Sequence, residues 1–230
     1  MRNKFLLLLF LSGFAACSNA GMDADTGNTS GALYYDYQLW GEEESGTATI
    51  RLQYKQGSEE GPAVPLPEQH RVLLDTTPFQ PDSTKFLGTY YELTKPLEYF
   101  NGTHTVTLVD ENRIAHRETF SFTPFELAEE LPDELPQKTF TLHLKNFPVS
   151  PTQIRLVMID TSMIAPGVNE ELLVENGQLT ISQEMLSKLA SGPVTMEISR
   201  EEVRQIGSGA KSSGTFLLNY GIRRQFTLTE

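Results

Sequence analysis

From Leu33 to the end of the chain the dominant hydrophobic period is two. Thr47-Ala48-Thr49-Ile50-Arg51-Leu52-Gln53-Tyr54 alternates polar and apolar, placing Ala48, Ile50, Leu52 and Tyr54 on one face of an extended strand. Thr103 to Leu108 and Phe140 to Leu144 do the same. A helix would scatter these side chains around its circumference, so the pattern commits the chain to sheets. The 23 threonines suit a pleated, half-buried surface. Turn clusters at Gly41–Gly46, Gln56–Pro62, Thr76–Ser83 and Asp110–Asn112 punctuate the runs. Short strands at this spacing predict an all-β chain of antiparallel sandwiches.

A composition shift divides the strand-rich region. Residues 126–136 gather Glu126, Glu129, Glu130, Asp133 and Glu134 with Pro132 and Pro136, the composition of an acidic linker. A short helical turn is expected at 126–131. The flanking segments, 33–125 and 137–230, each match a sandwich of about 100 residues. One larger sandwich with an acidic crossover is the alternative. In the second segment, Ser182 caps a short helix over Gln183–Ala190 that would plug a sandwich end, and Tyr220–Leu228 reads as a closing strand. In the first, a hairpin at 103–123 is expected to turn through Asp110-Glu111-Asn112, with Asn112 left-handed. That register pairs Leu108 with Ile114 and sets Glu118 opposite His104.

The N-terminus carries an address. Arg2 and Lys4 precede the apolar run Phe5–Phe14, which is too short to span a bilayer, and Ala15-Ala16-Cys17 follows. This resembles the lipobox of bacterial lipoproteins, with Phe14 where the family usually has Leu. An ordinary signal peptide with an incidental Cys is the other reading. The resemblance implies cleavage before Cys17, a signal peptide at 1–16 and lipidation of the Cys17 thiol. Loss of Arg2 and Lys4 would take the net charge from −12 to −14. Ser18 after the cysteine implies an outer-membrane address, with the domains facing either the periplasm or the exterior. Residues 17–32, rich in Gly, Asn, Ser, Thr and Asp, read as the lipidated Cys and a flexible tether. The strand-rich part resembles the immunoglobulin-like modules of bacterial surface lipoproteins, which implies two tandem immunoglobulin-like sandwiches.

Candidate chemistry is sparse. A pI near 4.8 argues against a nucleic-acid partner. One cysteine excludes an intramolecular disulfide framework and multi-cysteine zinc sites. His70, His104, His116 and His143 fall on expected strands without metal-ligand spacing, and no cofactor is implied. Gly207–Gly214 superficially matches a phosphate loop, but Ala210 replaces the glycine before Lys211 and a strand follows. Ser208 and Lys211 satisfy Ser-x-x-Lys without its companion motifs. Acidic turns such as Glu42-Glu43-Glu44 read as solvated loops, with weak Ca²⁺ binding left open.

Aromatics are the remaining candidates. Trp40, Tyr90 and Tyr91 are the ligand-binding residues to consider, because rings stack on sugars or anchor protein interfaces. Core packing is the competing role, with Trp40 as the central core aromatic. The expected role is a lipid-anchored, non-enzymatic structural or binding module of the cell envelope. Its partners would be the membrane, through the anchor, and an unidentified protein or glycan. Two alternatives stand beside it: a carbohydrate-binding accessory lipoprotein using the first-segment aromatics, and an enzyme with its site assembled across strands.

Overall fold

Alternation becomes strand throughout the residues that the structure, a computed structural model, describes: 32–162, 165–209 and 212–230. The first part of the chain forms β1 (Leu33–Glu42), β2 (Thr47–Gln56), β3 (Arg71–Leu74), β4 (Thr77–Pro78), β5 (Gln80–Thr84) and β6 (Gly88–Pro96). The one-turn helix α1 (Leu97–Phe100) leads to β7 (Gly102–Val109) and β8 (Ala115–Phe122). The second part forms β9 (Glu126–Leu127), β10 (Glu134–Pro136), β11 (Phe140–Lys145), β12 (Thr152–Asp160), β13 (Val168–Val174) and β14 (Gln178–Ile181). After α2 (Gln183–Leu186) come β15 (Gly192–Gly209) and β16 (Ser212–Thr229), each 18 residues long.

These two long strands organise everything else. One continuous sheet runs β13-β12-β15-β16-β1-β2-β6-β5, with β10 also on β16. The leading half of β16 pairs in parallel with all of β1, from Leu33 with Ser212 to Glu42 with Gly221. Its trailing end pairs with β10, also in parallel, and the remaining ladders are antiparallel. Against this sheet pack two smaller ones, β4-β3-β7-β8 and β14-β11-β9. The result is two β-sandwiches that share the β15–β16 hairpin, the first closed by β4-β3-β7-β8 and the second by β14-β11-β9. The sequence division at 126–136 treats 137–230 as self-contained, whereas strand pairing carries residues 212–221 across it onto β1. Gly31–Glu230 forms one compact unit.

The acidic segment differs from a helical turn. Glu126–Leu127 pairs with β11 and Glu134–Pro136 with β16. Leu127 is buried, Leu131 and Leu135 pack against the core, and the carboxylates between them face solvent. Spacing the leucines by four imitates helical periodicity, while Pro132 and Pro136 favour extended backbone. The helix expected over Gln183–Ala190 starts where Ser182 places it and ends at Leu186, after one turn. Ser182 accepts a hydrogen bond from Met185 N at 3.2 Å, and Leu186 and Leu189 are buried.

Ala48, Ile50, Leu52 and Tyr54 are all buried, as the alternation requires. Aromatic packing joins the two layers of the first sandwich. Phe120 of β8 meets Phe216 of β16 edge-on, with ring centroids 4.8 Å apart. Tyr37 and Tyr54 lie beside them, their hydroxyls sharing a 3.1 Å hydrogen bond, so neither buried oxygen is orphaned. Burial pushes both phenols up, so the pair stays protonated. These four rings fill the place expected for Trp40, whose parity on β1 turns it outward.

The shared strand changes character along its length. Val194, Met196 and Ile198 of β15 are buried, and at the same inward parity Arg200, Glu202 and Arg204 follow before Ile206. The switch coincides with the loss of a neighbour: β12 pairs with β15 only as far as Ser199. Arg200 and Glu202 form a 2.7 Å ion pair, and the Arg204 guanidinium lies 5.4 Å from the Phe216 ring centroid. Inward-pointing charge on an edge strand makes pairing with another chain costly.

Gly214 tests the central pairing. A Cβ there would overlap the Tyr35 carbonyl oxygen and lie 2.7 Å from the Tyr35 Cβ, so only separation of β1 from β16 relieves it. Gly214→Ala is expected to destabilise the fold by about 2–3 kcal/mol in urea unfolding. Gly46→Ala, at φ +63° with open space around it, should cost about 1 kcal/mol. Equal midpoints for the two variants would contradict this account of the β1–β16 interface.

Candidate functional site

Outward positions of β1, β2 and β6 converge on Arg51. The register sets Gln38 and Glu92 directly opposite it on the two neighbouring strands. Trp40 and Tyr90 are then its diagonal neighbours, at a separation long side chains bridge. The Arg51 guanidinium carbon lies 4.9 Å from the Trp40 ring centroid and 5.1 Å from that of Tyr90. Its Nε and Nη2 meet Glu92 Oε2 at 2.7 and 2.6 Å. One cation is thus held by a carboxylate and two π faces. Each surface cation–π contact is worth about 0.5–1 kcal/mol, and the partly exposed ion pair no more. Such energies fix side-chain positions without deciding whether the fold forms.

Polar groups frame the rings. The Tyr90 hydroxyl donates to Asp82 Oδ2 at 3.1 Å across the β5–β6 ladder. That hydrogen bond raises the Tyr90 pKa above the ordinary tyrosine range, because ionisation would set a phenolate beside a carboxylate. Partial desolvation and the charges of Asp82 and Glu92 reinforce the shift, and Arg51 opposes it. Thr49 and Thr94 share a 2.8 Å hydroxyl contact on the same face. Asp36 accepts from Gln38 at 3.1 Å and pairs with Lys55 at 2.6 Å. The face therefore offers aromatic surface ringed by fixed donors and acceptors.

The sequence candidates separate by parity. Trp40 and Tyr90 are partly exposed and come together through Arg51, whereas Tyr91 points into the core, 7% exposed, with its ring edge-on to Tyr54. Tyr91 is thereby removed from the candidate face, since adjacent strand residues point to opposite sides. Cys17 lies outside the described residues, as do Ala210 and Lys211 of the 207–214 turn. On its far side the chain continues as β16 from Ser212, a strand where a phosphate loop would open a helix. Arg51 was missed, although its outward parity between apolar Ile50 and Leu52 was visible. Its importance depends on register with β1 and β6, which no local pattern supplies.

The histidine pairing also differs. The β7–β8 ladder joins Val109 with Ala115 and His104 with Phe120, two residues from the expected register. The loop runs through Ile114, and Arg113, not Asn112, has positive φ. Asp110 explains the longer loop: its carboxylate accepts from the backbone N–H groups of Asn112 and Ile114, both at 2.9 Å. Those bonds, with His116 close by, lower its pKa. Parity is preserved, so Phe120 and Phe122 remain inside. His104 pairs through Nδ1 with Asp75 Oδ2 at 2.8 Å instead of with Glu118. His70 precedes β3 and is not on a strand. Among the described residues no group of three or more His, Cys, Asp or Glu side chains is arranged to hold a metal. Glu43 and Glu44 pair with Arg224 and Arg223.

A cleft of about 40 Å³ opens between Phe122, Phe125, Arg200, Glu202 and Tyr220. Its volume suits a few water molecules, far below the several hundred Å³ typical of small-molecule pockets.

No family model matches this chain, and no curated protein matches it. Solved structures with partial likeness include the two immunoglobulin domains of DIP-gamma, at 10% identity and TM-score 0.24, covering 83% of this chain and 96% of that one. The Yersinia pseudotuberculosis adhesin InvE scores 0.26 at 12% identity, over 84% of this chain and 61% of that one. Bacteroides ovatus SGBP-B, solved with a mixed-linkage heptasaccharide, scores 0.23 at 12% identity, over 76% and 53%. Likenesses at this level carry no conclusion about this chain.

Replacing Asp82 by Ala should move the Tyr90 pKa down toward the ordinary tyrosine range, as followed by NMR titration of ring-labelled tyrosine. An unchanged Tyr90 titration would show that the hydrogen bond is not the cause of its raised pKa.

Proposed function

We propose that this chain is a lipid-anchored binding module of the bacterial cell envelope, with the Trp40–Arg51–Tyr90 face as its ligand platform and a glycan as its ligand. The observation carrying the ligand assignment is the presentation of two rings on a rigid sheet by one shared guanidinium. Pyranose rings bury C–H faces on aromatic surface while their hydroxyls need paired donors and acceptors. Asp82, Glu92, Arg51 and the Tyr90 hydroxyl, which pair with one another in the free chain, are the donors and acceptors such hydroxyls would engage. Because the platform is already ordered, little side-chain freedom is lost on binding. The ligand would be an extended saccharide lying along the sheet, and the role is binding without catalysis.

The anchor reading is supported by the placement of Cys17 after Ala15-Ala16 at the end of the apolar run. No helix among the described residues is long and apolar enough to cross a membrane. Several acyl chains on Cys17 would give the stable attachment that a single chain does not. An outer-membrane address follows from Ser18 as part of the same proposal.

Calorimetric titration with neutral oligosaccharides selected on a glycan array tests the platform. Trp40→Ala and Tyr90→Ala should each weaken binding about 5–30-fold, equivalent to about 1–2 kcal/mol. Tyr91→Phe should leave affinity unchanged. Saccharide binding indifferent to both outward substitutions would remove the platform, and a protein-only ligand profile would remove the glycan assignment. Separately, Cys17→Ala should move the chain from the membrane to the soluble fraction.

A further inference from the structure

The end of the first sandwich where the chain enters β1 carries exposed apolar side chains on two hairpin tips. Leu33 pairs there with Gln56 and Ser212. β6 runs antiparallel to β2, so the turn between Thr84 and Gly88 projects beyond the Tyr54–Lys55 end of that strand. Gly88 abuts Ala63, whose bridge partner is Lys55. The β7–β8 tip lies at the same end. Phe122, at the opposite end of β8, meets the ring of Tyr220 edge-on, and Tyr220 pairs with Gly41 far along β1. Glu118, nearer the tip, accepts from Gly207 N at 2.9 Å beside the β15–β16 turn.

Phe86 is 94% exposed, Leu87 40% and Ile114 56%. The first tip has a fixed backbone. Leu87 N donates to Thr84 Oγ1 at 3.1 Å, and the Leu87 carbonyl accepts from the buried Gln53 amide at 2.7 Å. Thus Phe86 stands out from an ordered turn. Both signs of charge occur at this end: Lys85 and Arg113 stand against Glu59, Glu60 and Glu111. Such a mixture gives no net pull toward an anionic surface.

We propose that this end docks on a zwitterionic lipid surface, with Phe86 and Leu87 inserted among the headgroups and Ile114 as a second contact. The inference rests on the Cys17 anchor reading. Residues 17–32 connect that cysteine to this end of β1 and span at most about 55 Å even when fully extended. The tips therefore stay near the bilayer, and a contact too weak to capture free protein is sustained by effective concentration.

The test uses full-length, lipidated chain in phosphatidylcholine vesicles containing brominated lipid. Trp40 is the sole tryptophan and lies seven residues along β1 from Leu33, about 23 Å away, so it serves as an internal control. Phe86→Trp should add emission that is blue-shifted and quenched by the brominated lipid, while wild-type emission stays unquenched. The quenching should survive high salt. An unquenched Phe86→Trp signal in chain that floats with the vesicles overturns the docking and spares the anchor. Loss of quenching in high salt overturns apolar insertion. A concentration-dependent blue shift without vesicles in chain that carries both Phe86→Trp and Cys17→Ala, and so has no acyl groups, identifies a second copy as the occupant and overturns the lipid assignment. If wild-type chain does not float at all, or Cys17→Ala floats as well as wild type, the anchor reading fails and the inference falls with it.

Discussion

The parallel pairing of β1 with the leading half of β16 is the constraint on which the rest of the structure depends. It joins the first strand of the sandwich region to the last, and it makes β16 a shared member of both sandwiches. The geometry demands close backbone approach at Gly214 and a run of alternating side chains on both strands. Phe216 then sits beneath Tyr37 and against Phe120, and Tyr220 meets Phe122 and Phe125 where the two sandwiches adjoin. Such long-range pairing delays folding, because loop closure must precede the contacts that reward it. The chain must be nearly complete before its first strand has both neighbours.

Much of this was legible locally. Alternation over 47–54 assigned the buried face of β2, and Ser182 marked the start of α2, because both signals depend on neighbours in sequence. Pairing partners were less legible. The hairpin at 103–123 kept its inward parity yet shifted by two residues, since parity follows from the pleat and loop length depends on Asp110 binding two backbone amides. Leu127, Leu131 and Leu135 imitated a helix because two short strands and an intervening bend can share a spacing of four. The pairing of residues 212–221 with β1 had no local signature at all.

The candidate face was half legible for the same reason. Trp40 and Tyr90 were recognisable as aromatics in need of an environment, but Tyr90 and Tyr91 could be told apart only by knowing which neighbour faced outward. Arg51 gains its role from two diagonals on different strands. A sheet face is assembled perpendicular to the chain, so its chemistry is written in columns that the linear order interrupts. The same geometry keeps the platform stiff: its members stand on three adjacent strands whose opposite faces hold Leu39, Ile50, Leu52 and Tyr91.

The reversal along β15, from Val194, Met196 and Ile198 to Arg200, Glu202 and Arg204, has a consequence beyond this one molecule. An unpaired strand with an apolar underside invites the matching strand of the next copy, and repetition of that contact builds a fibre. Three charged side chains at the inward positions would have to give up water or their ion pair before a neighbour could join. The penalty falls where β12 no longer covers the edge, while the covered part keeps its apolar core. A single strand thus serves as interior along one stretch and as a barrier to polymerisation along the next.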